Sequence, residues 1–527
     1  MYKDNLDRRS IVKSGATLVG AGIFGVVVPS QFQQPNPNVH HYYNVRDFGA
    51  TGKREDNATI PVRNAIEACT KAGGGLVFVP PGDYTVGTIQ LKDNVTLHLE
   101  AGATFFLSQD QQDFIQGSRS MIFAENAKNI AVTGRGTLNG LGQSTFSEME
   151  VEEAVLAEEI KIAREAGIDM RRYYRTGMRV LTFILNDCTN VLLQDFTLID
   201  SPLWSIRLSD CNRVFIRGVH IYSDLEKGAT SDGIDICSSH NVTISDSVIV
   251  TGDDCIVLKT PSRRDNEKVN TVENVVVTNC ILTSSSAPLK IGTETHADIK
   301  HVVFSNCTIR NSNKGFSIDV LDGATVSNVI FSNLTIETNR RHWNWWGSAE
   351  LCKIILKRRT EKSKLGKIKN IVVDNIVSRV RGTSTIKGHL EQPLENIRMN
   401  NVQMFMTSED AKDKRATDAL IVENINGLKI NGLSIKWDEV ETEAKWKSAL
   451  VVNNVNDFEL RSFSGRQGLK NSNIPTILLN NISEGLIAES RAESGCTTFI
   501  QLSEKEKENL TLRDNISEKA KRTISYT

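Results

Sequence analysis

The chain has 527 residues, with 62 Lys plus Arg against 63 Asp plus Glu, a formal net charge of −1, and 39% hydrophobic content. This balance gives no support to nucleic-acid binding through bulk positive charge, and the length allows either several domains or one stacked solenoid. The nine cysteines are odd in number and contain no Cys-x-x-Cys, which argues against a zinc or dithiol motif. Cys188, Cys211, Cys280 and Cys307 each follow Asp or Asn at matching places in a repeat and read as small buried residues.

Residues 1 to about 35 have the pattern of a bacterial export signal. Arg8 and Arg9 precede the apolar run from Gly15 to Val28, and a polar tract follows. The run is too short to span a membrane stably, so the expectation is export to the periplasm or beyond, by the twin-arginine route. From residue 43 onward the chain reads as one domain. A strand at Tyr43 to Arg46 is followed by a helix from about Thr59 to Ala72, with Ile60, Ile66 and Cys69 as its apolar stripe, suited to capping the open end of a solenoid. Apolar bursts then recur at Asn94-Val95, Asn129-Ile130, Asn190-Val191, Asn241-Val242, Asn274-Val275, Asn328-Val329, Asn370-Ile371 and Asn396-Ile397. Bursts repeated at this interval predict an all-β parallel solenoid in which each Asn occupies a left-handed corner or ladders with its counterparts. One insertion interrupts it, at about 146 to 174, where Glu, Ala, Lys and Arg with helically spaced apolar residues predict helix.

The stretch from Thr230 to Lys259 carries the chemistry. Asp232 lies beside Gly233, and Asp253 and Asp254 follow Gly252, with a period-two strand between the two groups. In a coil of short strands these carboxylates come from neighbouring turns and converge. Like charges held close raise one pKa, so one carboxyl group stays an acid while its neighbours stay charged.

These motifs resemble those of glycoside hydrolase family 28, which contains the polygalacturonases and rhamnogalacturonan hydrolases. Ser231-Asp232-Gly233 is similar to its NTDG motif, Gly252-Asp253-Asp254 to its GDD motif, and Gly73 to Tyr84 to its glycine-rich opening. The resemblance implies a right-handed, pectin-lyase-like parallel β-helix and an inverting hydrolysis without cofactor or metal. It makes Asp253 the general acid, while Asp232 and Asp254 position and deprotonate water. A bend at Gly252 is then required, because neighbouring residues in a strand point apart. Ser201-Pro202-Leu203-Trp204 resembles the family's S-P-x-W segment, with Trp204 a candidate sugar contact. Lys259, farther along the same coil, is either a substrate contact or a structural cation.

Two family motifs are missing. Ala287 stands where the family has a histidine, and Ser317 and Asp319 stand where it has the arginine and lysine that grip galacturonate. Lys290, Lys314, Arg340 and Arg341 offer a rebuilt anion site, and Glu294 and Asp319 offer acceptors for sugar hydroxyls. Arg341, Trp343, Trp345 and Trp346 form an aromatic, basic segment suited to stacking on a terminal sugar. The expectation is therefore an exo-acting, monomeric hydrolase of a pectic or other acidic polysaccharide. Alternatives are a polygalacturonase or exo-galacturonidase with a rebuilt uronate site, a β-helix polysaccharide lyase, and a noncatalytic carbohydrate-binding solenoid.

Overall fold

A computed structural model describes residues 42–149, 153–168, 173–263, 268–340, 347–411 and 414–527. The export-signal reading of residues 1 to about 35 lies outside them. No described helix is long and apolar enough to cross a membrane.

The chain winds as a parallel β-helix. Successive coils place their strands on three faces, and each strand pairs in parallel with its counterpart one coil on. On one face Thr189–Gln194 lies on Asn212–Arg217, then His240–Ser245, Val272–Thr278 and Ile299–Ser305. Alternation along each strand sends one set of side chains inward, so Val191, Val214, Val242, Val275, Val302 and Val329 stack in register within a buried core. Phe304, Phe331 and Phe316 continue the packing as stacked rings, 4.9 and 4.1 Å apart.

The asparagine corners do both things expected of them. Asn94, Asn129, Asn190, Asn241, Asn274, Asn328, Asn370 and Asn396 all have φ between 53° and 61°, the left-handed region that Asn tolerates. Their side-chain amides also ladder between coils: Asn129 donates to Asn94 and Asn190 to Asn129, both at 2.8 Å, and Asn274 donates to Asn241 at 3.0 Å. The nine cysteines are free and buried.

The helix Thr59–Lys71 packs on the first strands, with Val62, Ala65, Ile66 and Cys69 inward. Ile60, expected in its apolar stripe, is instead exposed. At 100° per residue it falls out of phase with the stripe at 62, 65, 66 and 69. The insertion consists of the helix Glu153–Ala166 between two strands, Phe146–Met149 and Tyr173–Thr176, that pair antiparallel.

The face that carries the site is built from Ile206–Ser209, Ile234–Cys237, Ile256–Thr260, Leu289–Thr295, Lys314–Val320 and Glu350–Leu356, stacked in that order. Ile234, Ile256, Leu289, Phe316 and Cys352 form its inner row. The residues between them therefore face outward, and on this face many are charged.

Candidate active site

Above that face lies a cleft of about 500 Å³ lined by Trp204, Asp232, Asp253, Asp254, Lys259, Lys290, Glu294 and Asp319, together with Thr293, Lys314, Leu321, Lys353, Lys357 and Arg359. The three aspartates singled out in the sequence thus share one cavity with six other residues singled out there, Trp204, Lys259, Lys290, Glu294, Lys314 and Asp319.

The chain bends at Gly252 and Asp253, between the strands Val248–Thr251 and Ile256–Thr260, so neither Asp253 nor Asp254 follows strand alternation. Two hydroxyls fix the bend, since Thr251 and Ser284 donate to the Asp253 carbonyl at 2.8 and 2.6 Å. Gly252 is needed for close approach: a Cβ there would lie 2.3 Å from the Gly228 carbonyl oxygen and 2.4 Å from that of Asp224. Gly252→Ala is expected to push the bend away from the Asp224–Gly228 loop. Turnover should fall by at least about 10-fold, in proportion to misplacement of the carboxylates, while the far-ultraviolet circular dichroism stays that of a β-helix. Unchanged turnover would show that the loop yields instead.

Each aspartate has its own surroundings. Asp254 is buried, and its Oδ1 accepts from the Ser286 hydroxyl at 2.8 Å and the Ala287 backbone N–H at 3.2 Å, while Oδ2 accepts from Lys290 at 2.7 Å. Burial alone would raise its pKa, but Lys290, Lys259 and these hydrogen bonds outweigh that and hold it below the ordinary carboxylate value. Asp253 is pushed well above that value by burial and by the charges of Asp232 and Asp254, which Lys290 and Lys259 only partly offset. Asp232 is raised by burial against the opposing pull of Lys259. Its Oδ2 accepts from Lys259 at 3.1 Å, and its Oδ1 has no hydrogen-bond partner among the described residues.

Lys259 is almost wholly enclosed. Its ammonium donates to Asp235 at 2.5 Å as well as to Asp232, and lies 4.0 Å from the ring centre of Trp204. Burial disfavours its charge, yet Asp232, Asp235 and Asp254 together raise its pKa well above that of an ordinary lysine. Of the two readings open for Lys259, a cation that organises the aspartates is the one this geometry supports. Trp204 lines the cleft with one side covered by that ammonium.

Several residues depart from the sequence reading. Arg340, offered as part of an anion site, is buried against Glu409 at 2.8 Å, outside the cleft lining. Ala287 acts through its backbone, donating to Asp254 and accepting from the Cys255 N–H. Arg341, Trp343, Trp345 and Trp346 lie outside the described residues. Asp235, Lys353, Lys357 and Arg359 were not singled out from the sequence. Asp235 was detectable as the next outward position of a strand beginning at Ile234. The other three follow a stretch from Asn339 to Ala349 that has no apolar burst to mark which coil they belong to.

The sequence pattern of Glycosyl hydrolases family 28 matches residues 69–420. Among curated relatives, a polygalacturonase of Malus domestica is 29% identical over 225 residues, 42% of this chain and 44% of that protein. An exopolygalacturonase of Zea mays is 26% identical over 223 residues, 41% of this chain and 48% of that protein. The chain thus spans less than half the length of these relatives. In three dimensions it is similar to an exopolygalacturonase from Thermotoga maritima, with a TM-score of 0.61 and 22% identity over 77% of this chain and 93% of the other, a likeness of fold. With its pattern matched across most of the β-helix, including every coil that supplies an aspartate, the chain belongs to glycosyl hydrolases family 28.

Proposed function

We propose that the protein is an inverting glycoside hydrolase that removes terminal sugars from a pectic or related acidic polysaccharide. The observation that carries this reading is the convergence of Asp232, Asp253 and Asp254 on one cleft, where Lys290, Ser286 and the Ala287 N–H hold Asp254 in its charged form while burial and the neighbouring carboxylates drive Asp253 towards its neutral form. A group that must give up a proton and a group that must accept one are then in place together.

In this mechanism Asp253 donates its proton to the glycosidic oxygen as the bond from that oxygen to the anomeric carbon breaks. Its carboxyl group makes no hydrogen bond or ion pair to another described residue, which leaves it free for the substrate. Water attacks the opposite face of the anomeric carbon and passes its proton to Asp254. The unpartnered Oδ1 of Asp232 is a second acceptor for that water. The product carries inverted configuration, and proton exchange with solvent returns both carboxyl groups to their starting states. Glu294 and Asp319, on the cleft wall, serve as acceptors for sugar hydroxyls.

Exo action is supported by the insertion. Met149, Arg175 and Thr176 share a second cleft, of about 410 Å³, with Leu203 and Thr230, which are close in sequence to Trp204 and Asp232. A wall beside the catalytic coils restricts passage of a long polymer and favours a chain end. The export and single-domain readings belong to the same proposal, with residues 1 to about 35 directing secretion of a monomeric β-helix. Weak activity is expected on plain homogalacturonan, because Ala287, Ser317 and Asp319 lack the family's clamp. The test is a panel of pectic and marine polysaccharides with products sized by mass spectrometry. Release of single sugars from a branched or mixed acidic polymer is expected. A rapid drop in homogalacturonan viscosity would contradict both the specificity and the exo reading.

A further inference from the structure

The cations of the cleft fall into two groups. Lys259 and Lys290 are held by the catalytic carboxylates, and Arg359 forks onto Asp322 through two contacts of 2.7 Å while also donating to the Thr293 carbonyl at 2.8 Å. Lys314, Lys353 and Lys357 line the same cleft, yet none has an ion-pair partner within 4.0 Å among the described residues. Lys314 is only 3% exposed, and burial lowers its pKa despite the opposing charge of Glu350. A buried cation without a close counter-charge is costly to keep.

The register relates these lysines to the catalytic carboxylates. Lys290, Ser317 and Lys353 are direct neighbours on successive coils. Lys353 is therefore two strand spacings beyond Lys290, roughly 10 Å, and Lys290 grips Asp254. Between the two lysines Ser317 is fully buried, and its hydroxyl has no hydrogen-bond partner. Position 317 is thus a small, unsatisfied polar residue between two cations.

We propose that Lys353 and Lys357, at the end of the strand pair remote from the buried Lys314, form a subsite for an acidic substituent, a carboxylate or a sulfate ester, on a sugar lying beyond the one whose bond is cut. The subsite deepens the hydrolase reading and rests on it for its use in turnover, although ligand binding is measurable independently. The anionic contact is displaced along the helix axis from positions 317 and 319. Selection is thereby for a polymer with an acidic group at a fixed distance from the scissile bond.

The test is calorimetry with the Asp253→Asn protein, which keeps ligands uncut. The probes are tetragalacturonate, its fully methyl-esterified form, and a sulfated galactan tetrasaccharide. At low salt, at least one acidic probe is expected to bind about 10- to 100-fold more tightly than the neutral ester. Lys353→Gln with Lys357→Gln should erase that preference and leave affinity for the ester unchanged, while the corresponding double arginine variant should retain it. Lys357 is exposed and Lys353 half-buried, and thermal melting checks that the fold is intact. Preference for tetragalacturonate identifies the group as a carboxylate, and preference for the sulfated probe as a sulfate ester. Equal binding of acidic and neutral probes, no binding of either acidic probe at millimolar concentration, or a preference that survives the double glutamine variant overturns the subsite. Failure of the hydrolase reading would appear separately, as absence of turnover by the unsubstituted protein.

Discussion

Asp253→Asn is expected to lower kcat by about 10² to 10⁴-fold with little change in KM. Asparagine matches the side chain in size but has no acidic proton to give, so the loss falls on the chemical step. The pH profile carries an independent signature. Asp254 must be charged, and because its pKa is depressed, activity should persist to unusually low pH and fall only as pH drops through that depressed value. Asp253 must be protonated, and because its pKa is raised well above the ordinary range, activity should be lost only as pH rises through the raised value. The two groups titrate together, so the limbs belong to the pair. In Asp253→Asn the alkaline limb should disappear with the residual rate. Full turnover, or a preserved alkaline limb, would remove Asp253 from the acid role.

Lys259→Met is expected to cost both activity and stability. One ammonium holds Asp232 and Asp235 and packs over Trp204, and removing it leaves two buried carboxylates facing each other without a cation between them. Loss of one partner from a buried ion pair typically costs about 3–5 kcal/mol, and here two partners are orphaned. Asp232 and Asp235 would then be more strongly raised above their unfolded values. Groups of that kind contribute stability at low pH and lose it as pH rises through the folded-state pKa. The thermal midpoint of Lys259→Met should therefore fall with rising pH across and above the carboxylate range, more steeply than that of the natural protein. A midpoint that is unchanged and indifferent to pH would mean that Lys259 does not compensate these charges.

Local rules make the coils legible in the sequence alone. The burst at Asn129-Ile130 announces a left-handed corner and then a buried strand, and both occur. Asp232, Asp253 and Asp254 are legible for the same reason, since Gly233 and Gly252 mark one and the same turn in neighbouring coils. Ile60 stands outside the buried stripe because Val62, Ala65, Ile66 and Cys69 share one face at 100° per residue and Ile60 lies on the opposite one. The basic end of the cleft was hidden more deeply. Lys353 comes into line with Lys290 only through the pairing of three strands, and the sequence between Thr338 and Glu350 has no apolar burst from which to count the register. Arg340 shows the converse, because a charged residue near the site in sequence is turned inward by Glu409, which lies 69 residues later in the chain.

The most direct measurement is proton nuclear magnetic resonance of the first product released from an acidic pectic oligosaccharide, read before mutarotation, together with the ultraviolet absorbance of the same sample. The account predicts a reducing sugar of inverted anomeric configuration and no absorbance from an unsaturated uronate. A product of retained configuration would contradict the water-attack roles given to Asp254 and Asp232, and an unsaturated product would replace hydrolysis with elimination.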